Sequence, residues 1–237
     1  MHTTAVIVQS NYLPWKGYFD LLRQADIFVL YDDVQYTRRD WRNRNVIKTP
    51  QGLHWLTVPV NSKGQYHQDI ERITVSSSDW IERHWSTIAM SYGKSPGFFE
   101  YGEALRSMLH GCADCTLLSE INHRLIQGLA GLLDIDTPIA RSSTYGKVPG
   151  KNENLIHLCQ AVGATRYLSG PSASSYLDPT LFSRAGIALS YMDYSGYPEY
   201  KQPHGPFNHF VSVIDLLMST GRQAGKYLIR EETARAP

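Results

Sequence analysis

Three cysteines in 237 residues cannot form a disulfide framework, which agrees with a reducing compartment. No apolar run approaches the length needed to span a bilayer. The N-terminal segment MHTTAVIVQSNY has neither the charged start nor the long apolar stretch of a secretory leader. Net charge is lacking too: 23 Lys and Arg against 22 Asp and Glu leave +1, without the electrostatic footprint of a protein that coats nucleic acid. These absences predict a cytoplasmic protein that is not membrane-bound, and they disfavour a nucleic-acid partner. Internal repeats, low-complexity tracts and linkers are also absent. With 42% hydrophobic and 19% charged residues, the composition is that of a folded chain with a sizeable core.

Cys112 and Cys115 form a lone C-x-x-C with His110 and His123 nearby. A zinc site needs a second pair at a recognisable spacing, and the pair runs directly into a helical pattern. It reads as small residues at a helix start, so no metal ligand is assigned.

What is present is alternation. Ala5–Val8 predicts a buried strand, Phe19–Ala25 a helix beginning just after Gly17, and Ile27–Tyr31 a second strand, together about the length of a βαβ unit. Trp55–Val60 and Ile70–Val75 read as further strands. Helical periodicity then takes over: Trp80, His84, Ile88 and Tyr92 share one face, Phe98–Leu109 continues it, and Cys115–Leu133 repeats leucines at three- and four-residue steps. Strand and helix alternate again over Ile139–Ser142, Glu153–Val162, Arg166–Ser169, Pro179–Arg184 and Ile187–Met192. A last helix is predicted over Phe207–Met218, with Gly221 as its stop. The expected fold is α/β, a mostly parallel Rossmann-like sheet flanked by helices. It is expected as one domain over residues 1–230, with a helical insert at about 79–134 and a flexible tail over 231–237.

Ligands of open parallel sheets bind beyond the carboxyl ends of the strands. The segment QSNYLPWKGY, which follows the first strand, offers Gln9 and Asn11 as donors, Tyr12 and Trp15 as stacking faces, and Gly17 for close backbone approach. In YDDVQYTRRDWRNRNVIK, the acidic pair Asp32 and Asp33 precedes Arg42 and Arg44, interleaved with Tyr36 and Asn43. Arginine forks grip phosphates or carboxylates, aromatics stack on rings, and neighbouring carboxylates can raise one another's pKa toward that of a general base. The bland alternatives are aromatics packing a helix onto a sheet and a solvated charged loop. Ser169 and Gly170 follow a later strand in a small-residue loop whose amides can cradle an oxyanion, but the loop lacks the G-x-S-x-G of a hydrolase. Tyr200 and Gln202 stand in a Pro- and Gly-rich segment with His204 and His209.

Taken together, QSNYLPWKGYFD, DDVQYTRRDWRNRN, LTVPV, YLSGPSASSYLD, AGI and VIDLL resemble the WbqC-like protein family across nearly the whole chain. One departure is Ser10, where many members carry proline. The resemblance implies bacterial surface-polysaccharide (O-antigen) or secondary-metabolite biosynthesis and supplies no settled reaction. A looser likeness links the opening strand, loop, helix and AD-x-F-V-x-x-D-D strand to the nucleotidylyltransferase superfamily. There Trp15, Gly17 and Tyr18 stand where an H-x-G-H motif is expected, and only the glycine matches.

The expectation is a transferase or ligase that joins a group or forms an amide on an amino sugar, nucleotide sugar or similar anionic metabolite. Asp32 or Asp33 would serve as base or metal ligand, Asn11 and Asn43 would orient the acceptor, and Arg42 and Arg44 would hold the anion. The alternatives are an ATP-dependent nucleotidylyltransferase-like enzyme and a non-catalytic binding protein. No cofactor is assigned. Five Trp and fifteen Tyr leave room for an aromatic homodimer interface.

Overall fold

Short runs of β-branched and apolar residues build the central sheet. β1 (Thr4–Val8) pairs in parallel with β2 (Ile27–Leu30), placing Ala5 opposite Ile27 and Val8 opposite Leu30. β2 pairs in parallel with β5 (Ile139–Arg141), and β1 pairs on its other side with β6 (Arg166–Ser169). β7 (Ala188–Met192) continues the parallel order beside β6. A computed structural model describes residues 2–64 and 67–228, and beyond these only Ala234–Arg235, which form β8, antiparallel to β7. The tail expected over 231–237 otherwise lies outside the described residues. The sheet order is β5-β2-β1-β6-β7-β8, so the chain winds one way from β1 to β5 and then returns to the other side of β1. That reversal leaves a crevice at the carboxyl ends of β1 and β6.

Period-2 alternation divides the core. Val6 faces a large apolar cluster with helices α1 (Lys16–Arg23), α2 (Trp80–Tyr92), α3 (Pro96–His110), α4 (Leu118–Leu132) and α7 (Val213–Thr220). Ala5 and Ile7 face a second cluster with α5 (Lys151–Ala161) and α6 (Pro179–Arg184). Burial on both faces explains why the strands read as unbroken apolar runs.

Several sequence expectations shift. Ile70–Val75 is not a strand: Ile70 and Ile73 are both fully buried at a three-residue spacing, and residues Ile70–Arg72 form a 3-10 turn. Past Ile73 only isolated bridges form, at Thr74 and Val75. The strand placed at Trp55–Val60 is β4 (Gly52–Thr57); Pro59 cannot donate to a ladder. Its antiparallel partner is β3 (Arg44–Thr49), a strand that the sequence pattern does not predict within the arginine-bearing binding segment. The first helix starts before Gly17, at Lys16. The helix expected from Cys115 starts at Leu118, and both cysteines are buried in the turn before it. Residues 207–212 are not helical: the Ser212 hydroxyl accepts from the Ile214 amide at 3.2 Å and caps α7, which ends at Gly221 with φ +56°.

Close helix crossing gives the fold its most sensitive point. A Cβ on Gly97, at the start of α3, would lie 1.9 Å from the Leu217 carbonyl oxygen and 2.6 Å from the Gly221 amide nitrogen. Both obstacles are backbone and cannot rotate away. Gly97→Ala is therefore expected to cost about 3 kcal/mol and lower Tm by about 10 °C. In a melting experiment Gly131→Ala, on α4 with nothing within 4 Å, should instead hold or slightly raise Tm. Equal Tm for both variants would refute the close crossing.

Candidate functional site

Three adjoining cavities open along the carboxyl edge of the sheet. One of about 440 Å³ lies at the crevice between β1 and β6, where Gln9, Ser169 and Gly170 meet. It shares Gln9, Tyr31 and Lys151 with a wider cavity of about 840 Å³, which adds Tyr36, Arg38 and Lys147. It shares Asn11 and Trp15 with a smaller one of about 220 Å³, completed by Trp41, Asn45 and Phe210. The loop Gln9–Trp15 is thus the common wall of all three.

That loop is fixed from below. The Ser10 amide donates to Asp32 Oδ1 at 2.8 Å, a bond proline could not make, and the Ser10 hydroxyl accepts from Asn122 at 3.0 Å. Arg42 donates to Asn11 Oδ1 and, at 3.4 Å, to the Ser10 carbonyl. Leu13 is buried with φ +43°, a conformation costing a non-glycine residue about 1 kcal/mol. The Asn45 amide holds it there by donating to the Leu13 carbonyl at 2.8 Å and the Tyr12 carbonyl at 3.3 Å. Val213 N–H closes the far end on the Pro14 carbonyl at 2.8 Å.

Of the residues singled out in the sequence, Gln9, Asn11, Trp15, Tyr36, Ser169 and Gly170 line these cavities. The others support rather than face them. Tyr12 is fully buried, its ring edge-on to Trp80 and its hydroxyl 2.7 Å from His84 Nδ1, so it stacks on no ligand. A Cβ on Gly17 would meet the Trp15 indole at 2.3 Å: the glycine makes room for that ring, not for a substrate. Asn43 donates to the Val58 carbonyl at 2.8 Å. Arg44 donates to the Arg39 carbonyl and lies 4.3 Å from the Trp55 ring centre. Tyr200 and Gln202 both donate to the buried Asp215 carboxylate at 2.8 Å, and Tyr92 adds a third bond at 2.7 Å.

The two acids have separate hydrogen-bond partners. Asp32 binds Ser10, whereas Asp33 accepts from the Ser142 hydroxyl. Burial pushes the Asp32 carboxyl above the ordinary range, while the Ser10 bonds and the charges of Arg42 and Arg141 pull it back. Among the described residues no group of three or more His, Cys, Asp or Glu converges in a way that could hold a metal ion. No described helix is long and apolar enough to cross a membrane.

The cations of the cleft come from elsewhere. Arg38 belongs to the arginine run; Lys147 and Lys151 come from GKVPGK, the loop and first turn of α5. Lys147 donates to the Asp33 carbonyl at 2.5 Å, and Lys151 sits 3.2 Å over the Tyr176 ring. A glycine- and lysine-rich turn between a strand and a helix was the legible signal for them.

A parallel, doubly wound sheet with an open crevice at its reversal point defines a Rossmann-like α/β protein. The chain belongs to the WbqC-like protein family, which it matches over residues 9–227. It is 46% identical over 222 residues to "Uncharacterized protein Rv1507c" of Mycobacterium tuberculosis, covering 94% of this chain and 96% of that one. No solved structure matches it.

The foundation of the loop can be read out by titration. Burial lowers the His84 pKa from 6.5 to about 4, and the neighbouring Arg83 charge adds to the effect. The folded state favours the neutral ring, so this contribution is complete above pH 6.5 and is lost as pH falls through about 4. NMR of ring-labelled histidine should show His84 titrating near pH 4, and a midpoint near 6.5 would refute its burial. Tyr12→Phe removes a buried hydrogen bond and should cost about 1–3 kcal/mol.

Proposed function

We propose that the protein binds a nucleotide sugar, or a similar small anionic metabolite, along the carboxyl edge of the sheet. There it carries out group transfer in bacterial surface-polysaccharide or secondary-metabolite biosynthesis. One observation carries the reading: the described lining of the three cavities contains Arg38, Lys147 and Lys151 and no Asp, Glu or His. A concave site with cations, amides and hydroxyls and no opposing carboxylate favours an anion over a cation or a neutral peptide. Lys147 and Lys151 would meet the negative charge, and the Ser169–Gly170 turn would add polar contacts. Gln9, between the two larger cavities, would orient the ligand across them.

The same lining favours a second reading. With no carboxylate or imidazole in the described lining, a general base would have to be one of its lysines or tyrosines or a group of the ligand, so recognition without turnover also fits. Both readings place the ligand in the same cleft. An ATP- and metal-dependent nucleotidyl transfer through Asp32 and Asp33 draws no support, since those side chains are bonded to Ser10 and Ser142.

Thermal-shift assays with pyrophosphate, nucleoside diphosphates and nucleotide sugars test the site, because a ligand of the folded state raises Tm. At a hundredfold excess over Kd the gain is about 2.7 kcal/mol, or roughly 5–10 °C for a chain of this size. Lys151→Ala should weaken binding about tenfold. If no anionic ligand moves the wild-type Tm, the proposal fails. Mass spectrometry of a bound nucleotide sugar after incubation with candidate acceptors separates turnover from recognition.

A further inference from the structure

We infer that the cavity between Trp15, Trp41 and Phe210 is a subsite for a single pyranose ring. Three aromatic side chains from distant segments converge there, and two remain well exposed, Trp41 at 44% and Phe210 at 72%. Exposed rings gathered around one concavity mark a binding site more often than scattered surface hydrophobics do. Backbone bonds hold the segments together: Tyr12 N–H donates to the Trp41 carbonyl at 3.0 Å, Ser212 N–H to the Val46 carbonyl at 2.8 Å, and Trp15 bridges to Ser212. The cavity therefore exists before any ligand arrives, which lowers the ordering cost of binding.

Size and geometry select the occupant. At about 220 Å³ the space lies below the roughly 300 Å³ where pockets for drug-sized ligands begin, so it holds one ring and not two. Trp15 and Phe210 already touch, with centroids 6.1 Å apart and planes tilted by 32°. A flat base sandwiched between two aromatics needs roughly 7 Å, twice the contact distance. Trp41 is likewise 5.5 Å from Trp55. The rings form walls rather than a slot, a shape suited to the C–H face of a sugar.

Polar complementarity comes from one side chain. Asn45 spends its amide on Tyr12, Leu13 and Val46. Among the described residues Asn11 is bonded through its oxygen alone, by Arg42, and that bond fixes the amide so that Nδ2 remains a donor for a sugar hydroxyl or acetamido oxygen. Since Asn11 and Trp15 also line the crevice, a sugar here would place its anomeric substituent toward Gln9 and the cations. The inference rests on the proposed anion cleft for that orientation, and on the aromatic geometry alone for the ring.

Saturation-transfer NMR tests it, with methyl glycosides of common hexoses and 2-acetamido-hexoses at about 10 mM, enough to detect millimolar binding. At least one glycoside should receive saturation on its ring C–H protons, falling at least fivefold in Phe210→Ala and in Trp41→Ala. No transfer to any glycoside, or transfer unchanged in both variants, overturns the subsite. So does a series of free nucleosides that lose their signal in these variants while glycosides show none. Pyrophosphate, which has no ring, is titrated in parallel by calorimetry. If it fails to bind while a glycoside signal is present, the anion cleft falls and the subsite stands; the reverse pattern sinks the subsite alone.

Discussion

The bond from the Ser10 amide to the buried Asp32 carboxylate ties the first loop of the sheet to the end of the second strand, and the rest of the site depends on it. Removing a carboxylate from water is costly, and this one is offset by two bonds to Ser10 and the nearby charges of Arg42 and Arg141. With Ser10 fixed, Arg42 can reach Asn11, Asn122 can reach Ser10, and the Leu13 kink can be held by Asn45. Charge that looks catalytic in the sequence is spent on shaping a backbone.

The same economy recurs away from the cleft. Lys48 donates to Gln202 at 2.8 Å and to the Pro206 carbonyl, while Gln202 joins Tyr92 and Tyr200 on Asp215. Lys16 is buried against the Tyr197 ring, its ammonium 4.3 Å from the ring centre. Burial lowers its pKa to about 8, opposed by Asp20 and Asp215. These polar clusters pin the segment 197–212 against α1, β3 and α7, and so place Phe210 beside Trp15. Partnered buried polar groups specify one arrangement where apolar packing alone would tolerate several.

The parallel strands were legible as short unbroken apolar runs, such as Ala5–Val8, and most helices by their own period, such as the leucines of α4. β3 was not, because Arg44 and Lys48 drew attention as ligand-binding charges when their partners, Trp55 with the Arg39 carbonyl and Gln202 with Pro206, lie far along the chain or across a turn. For the candidate site, position after a strand was a better guide than residue chemistry. Gln9, Asn11, Ser169 and Gly170 do line the cleft, whereas Asp32 and Arg44, chosen for their reactivity, are bonded beneath or beside it, as is Tyr200, a candidate from the resemblance. Which face a charged side chain takes is a tertiary fact, and one sequence does not record it.

The strapping of Gln9–Trp15 also has a consequence during synthesis. Its anchors lie at Asp32, Arg42, Asn45, Asn122 and Val213, nearly the whole length of the chain away at the last. Contacts so distant form late, after the loop-closing entropy has been met by the body of the fold. A nascent chain halted before residue 213 would carry β1 and its loop without the closing strap or the ring of α7 contacts. The aromatic cavity is therefore complete only once the segment that carries Phe210 and Val213 has joined the earlier segments that carry Trp15 and Trp41.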